Sequence, residues 1–222
     1  MLFTHVTVPE IKLQRVTNQE GKRYYVTPEG NKYTSITTML SHFNKDVIIE
    51  WRKRVGAEQA NKISRQASNR GTRMHALFEK YLNNEDADIT HPIDLEMFKS
   101  MIPYLDNINN IYLQEKYLYS DYLRLAGTCD CIAEYKGKLN IIDFKTSKKS
   151  KKEEWIEDYF IQATAYAIMF EERYKIPVPR ITIMIATEED GPQIFHKKRD
   201  DFADLLLEYR DVYERSTKDL IL

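Results

Sequence analysis

The chain has 222 residues, of which 42% are hydrophobic and 30% are charged, and its formal net charge is −1. These proportions are typical of a globular protein with a substantial core, and they exclude a disordered chain and a protein covered in positive charge. The sequence has no apolar run of membrane-spanning length, and its first ten residues lack the patterns of a signal peptide and of a transit peptide. We therefore expect a cytoplasmic protein without membrane contact, in a bacterium or a phage-infected host cell.

The N-terminal residues predict a short hairpin followed by a helix. The hairpin spans about residues 11–32, with a strand over Arg23–Thr27 and a turn at Pro28–Asn31. Thr34 or Ser35 then caps the start of a helix, because a side-chain oxygen there accepts from free backbone N–H groups. The same N–H groups bind phosphate in other proteins, so Ser35 is a candidate substrate contact, with a simple cap as the alternative.

Residues 46–83 have a helical pattern throughout, with predicted breaks near Gly56 and near Ser68–Gly71. The last helix carries an apolar stripe at the 3.6-residue period. The stripe consists of Met74, Leu77, Phe78, Tyr81 and Leu82. His75 lies on an adjoining face. By itself, a lone helical histidine is more often a buried polar residue than a metal ligand.

A sheet is predicted to begin after the helical part. An acidic loop over residues 84–92 and an amphipathic helix over Asp94–Asn109 lead to a strand over Tyr112–Tyr119. Glu115 lies in this strand. It could assist a metal site or position a lysine.

A β-hairpin follows, and it holds the residues with the strongest chemical pattern. Two runs rich in strand-forming residues, Thr128–Tyr135 and Leu139–Phe144, flank Lys136-Gly137-Lys138. The glycine suits a tight connection that needs positive φ.

Each strand of this hairpin contributes an aspartate. Side chains alternate along a strand, so Asp143 and Lys145 share a face, which Asp130 can join from the neighbouring strand. Two close carboxylates resist joint ionisation unless a cation lies between them, and hard oxygen ligands suit Mg²⁺ or Mn²⁺. The alternative is a solvated face with a weak ion pair. Ile141 and Ile142 favour the metal site, because they lead the strand into a core where charges are rare.

The two cysteines of the chain, Cys129 and Cys131, flank Asp130. Two cysteines at this spacing form neither a disulfide framework nor a zinc site. We expect both to pack behind the face that carries the aspartates.

The C-terminal third predicts a helix over Glu153–Tyr174 with Gln162 and Tyr166 on one flank, because residues four apart share a helix face. Two more strands and a closing helix are predicted over Arg180–Thr187, Gln193–His196 and Asp200–Ser216.

Positive charge is concentrated in two segments near these candidate residues. Between Trp51 and His75 the only acid is Glu58, and the basic residues are Arg52, Lys53, Arg54, Lys62, Arg65, Arg70 and Arg73. The second segment contains Lys148, Lys149, Lys151 and Lys152. A groove that follows a phosphate backbone would need such charge, although a solvated face is the simpler interpretation.

Four motifs in this order resemble the PD-(D/E)XK nucleases, in their RecB-like branch. They are Gly127-Thr128-Cys129-Asp130, Asp143-Phe144-Lys145-Thr146, Gly71-Thr72-Arg73-Met74-His75 and Gln162-Ala163-Thr164-Ala165-Tyr166. The resemblance covers about residues 34–166, and within the branch residues 130–149 are most similar to exonucleases that act on single-stranded DNA. It implies an α/β fold in which a mixed central β-sheet is flanked by helices, with a restriction-endonuclease-like core.

The resemblance also implies roles for individual residues. Asp130, Asp143 and Lys145 would be catalytic. A Mg²⁺ or Mn²⁺ ion would be held by Asp130, Asp143, His75 and the Phe144 carbonyl, with Glu115 as a further ligand. The resemblance adds Ser35, Gln162 and Tyr166 as substrate-binding residues, and the two basic segments add Arg70, Arg73 and Lys148.

We therefore expect one nuclease domain over residues 1–222, with a helical substrate-channel part to about residue 110 and the catalytic sheet after it. The expected function is a metal-dependent exonuclease that degrades linear single-stranded DNA in replication, repair or recombination, with a phage genome as one source. Replication or recombination proteins are the expected protein partners. The alternatives are a duplex-cutting endonuclease, a recombination exonuclease and a non-catalytic DNA-binding module. The absence of a P-loop argues against an ATP-driven helicase.

Overall fold

A computed structural model describes residues 2–19, 21 and 23–218. In this part of the chain eight strands form one mixed sheet, and six α-helices accompany it, which confirms the predicted fold class. The strands are β1 Gln14–Thr17, β2 Arg23–Val26, β3 Lys32–Ser35, β4 Ile108–Ser120, β5 Leu125–Tyr135, β6 Lys138–Ser147, β7 Arg180–Thr187 and β8 Gln193–Lys198. The helices are α1 Ile36–Phe43, α2 Lys45–Val55, α3 Ala57–Leu82, α4 Pro92–Leu105, α5 Glu157–Tyr174 and α6 Ala203–Lys218, with 3₁₀ turns at Glu153–Trp155 and Arg199–Phe202.

The sheet divides at β5. Its order is β1-β2-β3-β5-β6-β7-β8, and β4 pairs with the other edge of β5 along nearly its whole length. β3 bonds to β5 at Leu125 and Ala126, whereas β6 bonds to β5 from Cys131 to Tyr135. Residues 127–130 of β5 therefore lie where β3 and β6 separate. We call this region the fork.

Two hydrophobic clusters cover the two faces of the sheet. One packs α5 against β6 and β7, with Tyr166 and Phe170 among its buried residues. The other packs α3 and α4 onto the opposite face, with Phe78, Met101 and Phe144 fully or almost fully buried. The α3 stripe expected from the sequence is thus a core face, since Met74, Leu77, Phe78 and Leu82 are buried.

The hairpin of β5 and β6 has the predicted tight turn. Lys136 and Gly137 both adopt positive φ, 51° and 71°, as a two-residue turn of this kind requires. The predicted break at Gly56 is also present, and Gly56 has φ 83°.

The second predicted break, near Ser68–Gly71, is wrong, because α3 continues through it. Glycine inside a helix costs only about 1 kcal/mol relative to alanine, which tertiary packing offsets. A Cβ at Gly71 would lie 3.8 Å from Thr146 Oγ1, so α3 passes close to β6 at this position.

The helix predicted over Asp94–Asn109 has different limits. Pro92 starts α4, where its missing N–H costs nothing, and the helix ends at Leu105. Ile108 and Ile111 belong instead to β4 and are buried in the second cluster. None of the helices in the described residues combines the length and the apolar composition of a membrane span.

Candidate metal centre

Asp130 and Asp143 lie at the fork. Asp130 is 9% exposed and Asp143 is 1% exposed. The Phe144 N–H donates to Asp130 Oδ2 over 2.8 Å. This bond satisfies a backbone group that loses its sheet partner where β5 and β6 separate, and it fixes the Asp130 carboxylate at the branch point.

His75 and Glu115 complete a group of possible ligands. One ligand atom from each of His75, Glu115 and Asp130 lies within 4.8 Å of the other two. His75 Nδ1 is 3.3 Å from Glu115 Oε1 and 3.8 Å from Asp130 Oδ1, and its Nε2 is 2.9 Å from the Phe144 carbonyl oxygen. Helix α3, strands β4 and β6 and the fork thus bring together four of the five predicted ligands.

Glu115 reaches this group through an irregular backbone. It lies between the registered pairs Gln114–Cys131 and Lys116–Cys129, opposite Asp130, and its φ is 49°. A non-glycine residue with positive φ is strained by about 1–3 kcal/mol, and such residues concentrate at functional sites. The cysteines on either side of Asp130 are both fully buried, in agreement with the packing role expected for them.

The electrostatics of the group are those of a carboxylate cluster that shares a cation. Burial raises the pKa of Asp130 to about 7, and the charge of Asp143 adds to the effect. Burial lowers the pKa of His75, but the hydrogen bond to Glu115 and the charges of Asp130, Glu115 and Asp143 outweigh it and raise that pKa to about 9. At neutral pH the imidazolium is therefore one of the cations that balance the acids.

Asp143 is held differently. The side chain is almost fully buried, and its Oδ1 accepts no hydrogen bond from the described residues. Its partner is the ammonium of Lys145, which forms an ion pair with it. Burial lowers the pKa of Lys145, but the charges of Asp143 and Asp130 outweigh this effect and raise the pKa above its ordinary value, so the lysine remains protonated.

These observations fit a divalent cation. Buried carboxylate oxygens without hydrogen-bond donors are costly unless a charge compensates them. Asp130 and Glu115 supply hard oxygen ligands beside His75 and the Phe144 carbonyl, and Asp143 is near enough for its charge to raise the pKa values of Asp130 and His75. This donor set suits Mg²⁺ or Mn²⁺.

A row of side chains from α5 holds Lys145. Its Nζ lies 3.5 Å from Gln162 Oε1 and 5.0 Å from the centre of the Tyr159 ring. Gln162 Nε2 in turn donates to the Tyr166 hydroxyl over 3.5 Å. Gln162 and Tyr166 are 9% and 2% exposed, so both are placed to position the lysine. Their contact with substrate stays a prediction.

Gly127 makes room for this row. A Cβ there would lie 2.8 Å from both Cε1 and the hydroxyl oxygen of Tyr166, and 3.2 Å from Ile36 Cγ2. The glycine of the first motif is therefore required by the close approach of the Tyr166 ring to the β5 backbone.

Ser35 and Lys148 are accounted for without a substrate. Ser35 is 1% exposed and caps α1, since its Oγ accepts from the Thr38 N–H over 3.0 Å. Lys148 is exposed, with its Nζ 3.3 Å from Glu189 Oε1. Phosphate contact by either residue stays a prediction.

Arg70 and Arg73 also have carboxylate partners. Arg70 Nη1 is 2.6 Å from Glu188 Oε1, and Arg70 is only 9% exposed. Arg73 binds Asp94 through two nitrogens, at 2.5 and 3.0 Å. These pairs hold α3 to its neighbours, so the structure gives both arginines a stabilising role, and DNA contact by them stays a prediction.

Tyr159 lies beside Lys145 without having been predicted from the sequence as part of the site. Tyr159 reads as a core residue of α5, yet its ring lies beside the Lys145 ammonium. The available signal was its spacing, because positions 159, 162 and 166 share one helix face. Trp155 precedes α5 and is 61% exposed, with Lys152 Nζ 5.2 Å from its ring centre.

A mixed sheet that forks between two buried aspartates, with a lysine two residues after the second, defines a class of nuclease. The family model of the PD-(D/E)XK nuclease superfamily matches residues 50–221, and the chain belongs to this superfamily. Its members use divalent metal ions, which agrees with the candidate ligands described above.

The relatives with curated names are more specific. The chain is 26% identical over 162 residues to mitochondrial genome maintenance exonuclease 1 of Homo sapiens, covering 69% of this chain and 45% of that protein. The Mus musculus protein of that name is 29% identical over 131 residues, covering 55% and 38%, and the Xenopus tropicalis one is 34% identical over 97 residues, covering 41% and 27%. The chain thus spans less than half the length of these relatives. The PD-(D/E)XK family recognised from the four motifs is therefore confirmed, and its relatives with curated names are exonucleases.

A solved structure from Eubacterium rectale, of a protein provisionally described as an exonuclease, has a TM-score of 0.46 and 14% identity. The match covers 70% of this chain and 66% of that one.

Proposed function

We propose that the chain is a Mg²⁺- or Mn²⁺-dependent exonuclease that hydrolyses linear single-stranded DNA from a free end. The observation that carries this proposal is the pair of buried aspartates at the fork. Asp143 is 1% exposed and its Oδ1 accepts no hydrogen bond from the described residues, and Asp130 has a pKa raised to about 7. An arrangement with this cost is expected where a bound cation removes it.

The residues of the site then have distinct roles. Asp130 and Asp143 would hold the ion, with His75, Glu115 and the Phe144 carbonyl as further ligands. When bound, the ion would lower the pKa of a water molecule, polarise the scissile phosphate and balance charge on the leaving oxygen.

Lys145 acts beside the ligands. Its ammonium stays protonated next to Asp143 and is held by Gln162, so it can orient the attacking water or stabilise negative charge on the phosphate. Gln162 and Tyr166 position it from α5.

Preference for a single strand is supported by exposed apolar side chains beside the basic segments. Helix α2 has no buried residue, and its Val47, Ile48 and Ile49 are exposed along with Trp155. Unpaired bases stack on aromatic side chains, with about 1–3 kcal/mol per base, and Trp155 is the aromatic member of this set. A stiff duplex also fits a narrow passage between helices and a sheet less well than a single strand does.

The relatives' names support an exonuclease that acts in genome maintenance. We place the activity in DNA replication, repair or recombination, in the cytoplasm of a bacterium or a phage-infected cell, with proteins of those processes as partners.

The test is a cleavage assay on linear single-stranded DNA, circular single-stranded DNA, blunt duplex and linear RNA, each with Mg²⁺, with Mn²⁺ and with chelator. We expect rapid loss of the linear single-stranded DNA with either metal and no cleavage with chelator. Asp143→Asn should be inactive, while Asp86→Asn, an exposed aspartate in the loop before α4, serves as the matched control. Undiminished cleavage in chelator would contradict the metal centre, and equal cleavage of circles or duplex would contradict the end and strand preferences.

A further inference from the structure

A second concentration of positive charge lies at the end of the sheet away from Lys145. Here a recess of about 590 Å³ opens beside the start of β6 and β7 and the end of β8. Its basic lining residues are Lys136, Lys138, Arg180, His196, Lys197 and Lys198, and Asp200 is the only acid that lines it among the residues described. We call it the cationic recess. On a chain with a net charge of −1, such a local excess is not a property of the surface as a whole.

The sheet register brings these cations together. Arg180 of β7 pairs with Asn140 of β6 on one side and with Lys198 of β8 on the other. Lys138 lies two residues before Asn140, on the same face of β6. Like charges directly opposite one another on neighbouring strands are destabilising, and Arg180 and Lys198 are such a pair.

The protein itself does little to neutralise this charge. Within the described residues, no carboxylate pairs with Lys136, Lys138, Arg180 or Lys198, whereas Lys197 pairs with Glu153. Asp200 is engaged by Arg199, with Nη2 and Oδ1 2.8 Å apart. The recess therefore presents exposed cations whose charge remains available to an anion.

The protonation of His196 is affected by the positive charge of the recess. Its Nδ1 is 3.0 Å from Thr182 Oγ1, and that hydroxyl donates to Asn140 Oδ1 over 3.0 Å. The hydroxyl proton is used in the second bond, so Nδ1 carries the imidazole proton and donates to Thr182, with the tautomer assigned from this network. Burial lowers the pKa of His196, and the charges of Lys136 and Arg180 lower it further.

The recess is separate from the candidate metal centre. Lys138 and Lys145 lie seven residues apart on β6, which corresponds to about 23 Å at about 3.3 Å per strand residue. None of the recess residues contacts Asp130, Asp143 or His75 through a hydrogen bond or ion pair among the described residues. A ligand in the recess would thus occupy a binding site distinct from the candidate metal centre.

We propose that the cationic recess binds the phosphate backbone of the DNA chain whose end lies at the metal centre. The proposal rests on the proposed function. The cations extend over three neighbouring strands, about 10 Å at the usual strand spacing, which lets long lysine and arginine side chains contact about two to three successive phosphates of an extended single strand. Flexible lysine and arginine side chains that other protein groups do not hold in place suit contacts with the phosphate backbone, which are independent of base sequence.

A second contact changes how binding depends on DNA length. A chain that reaches both places gains the recess contact as an intramolecular step, at a high effective concentration. The phosphates of an extended single strand lie about twice as far apart as the 3.4 Å rise of a duplex, so a chain of about three nucleotides, with two phosphate intervals, spans only about 14 Å and cannot reach both. The recess should therefore matter for long substrates and not for very short ones.

The test compares a charge-reversed recess with a matched control. The recess variant is Lys138→Glu, Arg180→Glu and Lys198→Glu combined. The control reverses three other exposed cations, Lys12, Arg15 and Lys99, so both variants carry the same net charge. Lys198→Glu alone is a milder second variant, since it replaces a repulsive cross-strand pair with an attractive one.

Two measurements are made on each protein. The first is binding of a labelled single strand of about 30 nucleotides at several salt concentrations in chelator, and the second is cleavage of a strand of about three nucleotides with metal. Relative to the control, the recess variant should bind the long strand at least about 10-fold more weakly, with a salt slope smaller by about 2, because each lost phosphate contact on a single strand removes about 0.7. Cleavage of the short strand should equal that of the control.

Each outcome bears on one of the two proposals. The recess proposal would be overturned if the recess variant and the control bound the long strand with the same affinity and the same salt slope. It would also be overturned if the recess variant lost short-strand cleavage as strongly as it lost long-strand binding, because the recess would then be part of the catalytic cleft. Binding of polyglutamate by the wild type, lost on recess reversal while DNA binding is kept, would assign an acidic protein segment instead and overturn it too. A wild type that cleaves no DNA at all would contradict the proposed function itself.

Discussion

Gly127→Ala tests the packing that links the fork to Lys145. The new Cβ would lie 2.8 Å from two atoms of Tyr166 and 3.2 Å from Ile36 Cγ2, both well inside normal contact. Tyr166 is 2% exposed and Ile36 is fully buried, so neither side chain can swing into solvent. Overpacking of this kind costs about 1–3 kcal/mol. For a chain of this length that lowers the melting temperature by about 2–12 °C.

The same substitution should also reduce catalysis. Moving Tyr166 disturbs its 3.5 Å hydrogen bond with Gln162, and Gln162 holds the Lys145 ammonium. Displacement of a catalytic group by about 1 Å can cost about 100-fold in rate, so we expect a fall in kcat of about 10-fold or more below the melting transition.

Thermal unfolding and single-strand cleavage, measured on the same preparations, check both effects. Gly71→Ala is the control, because its Cβ would meet Thr146 only at 3.8 Å and alanine favours the helix by about 1 kcal/mol, so it should not destabilise the protein. Combining Gly127→Ala with Tyr166→Ala should be less than additive by at least about 1 kcal/mol, since the truncated ring leaves space for the methyl group. Wild-type stability of Gly127→Ala, or full additivity in the double variant, would refute the packing argument.

Three further predictions concern charge and protonation. Asp143→Asn and Lys145→Ala should both abolish cleavage. In calorimetric titrations with Mn²⁺, the aspartate variant should bind the metal more weakly, whereas the lysine variant should keep its metal affinity within about threefold, because an ammonium is not a metal ligand. Near wild-type turnover of the lysine variant would contradict its role. Arg73→Ala leaves the buried Asp94 carboxylate without its bidentate partner, so it should lower the unfolding free energy by about 2–4 kcal/mol in denaturant titrations. Adding Asp94→Asn should restore part of that loss. A loss below about 0.5 kcal/mol would show that the pair is not stabilising. Burial and the hydrogen bond to a neighbouring aspartate raise the pKa of Tyr33 to about 12 in the folded protein, whereas a tyrosine in the unfolded chain ionises near about 10. The unfolding free energy of the wild type should therefore fall as pH rises from about 10 through about 12, and Tyr33→Phe should make that fall smaller. An unchanged pH profile in the phenylalanine variant would contradict the assignment.

Local patterns in the sequence were enough to predict much of the fold and the central chemistry. The hairpin of β5 and β6 follows from strand-forming residues around Lys136-Gly137, whose positive φ the turn requires. The alternation of Asp143 and Lys145 on a strand that begins in a core indicates a buried, paired charge, which the structure contains. These inferences hold because the side-chain period of a strand and the chemistry of a turn depend on neighbouring residues alone.

Other predictions failed or could not be made, because they depend on which distant segments meet. Gly71 suggests a helix end from its propensity alone, yet packing of α3 on the sheet carries the helix through it. Arg70 and Arg73 look like free cations in the sequence, but their partners Glu188 and Asp94 lie 118 and 21 residues away. A residue's charge predicts its solvation only when its tertiary partner is known.

The candidate site and the cationic recess show where this division falls. The sequence by itself supplied the residue types for a metal centre, including both aspartates, the lysine and the histidine. Only the tertiary structure placed Glu115 opposite Asp130, opened the fork at which Asp143 is buried beside Lys145, and gathered cations from three strands at the far end of the sheet. Electrostatic fields depend on distances through space, and only the folded chain sets the distances between residues far apart in sequence.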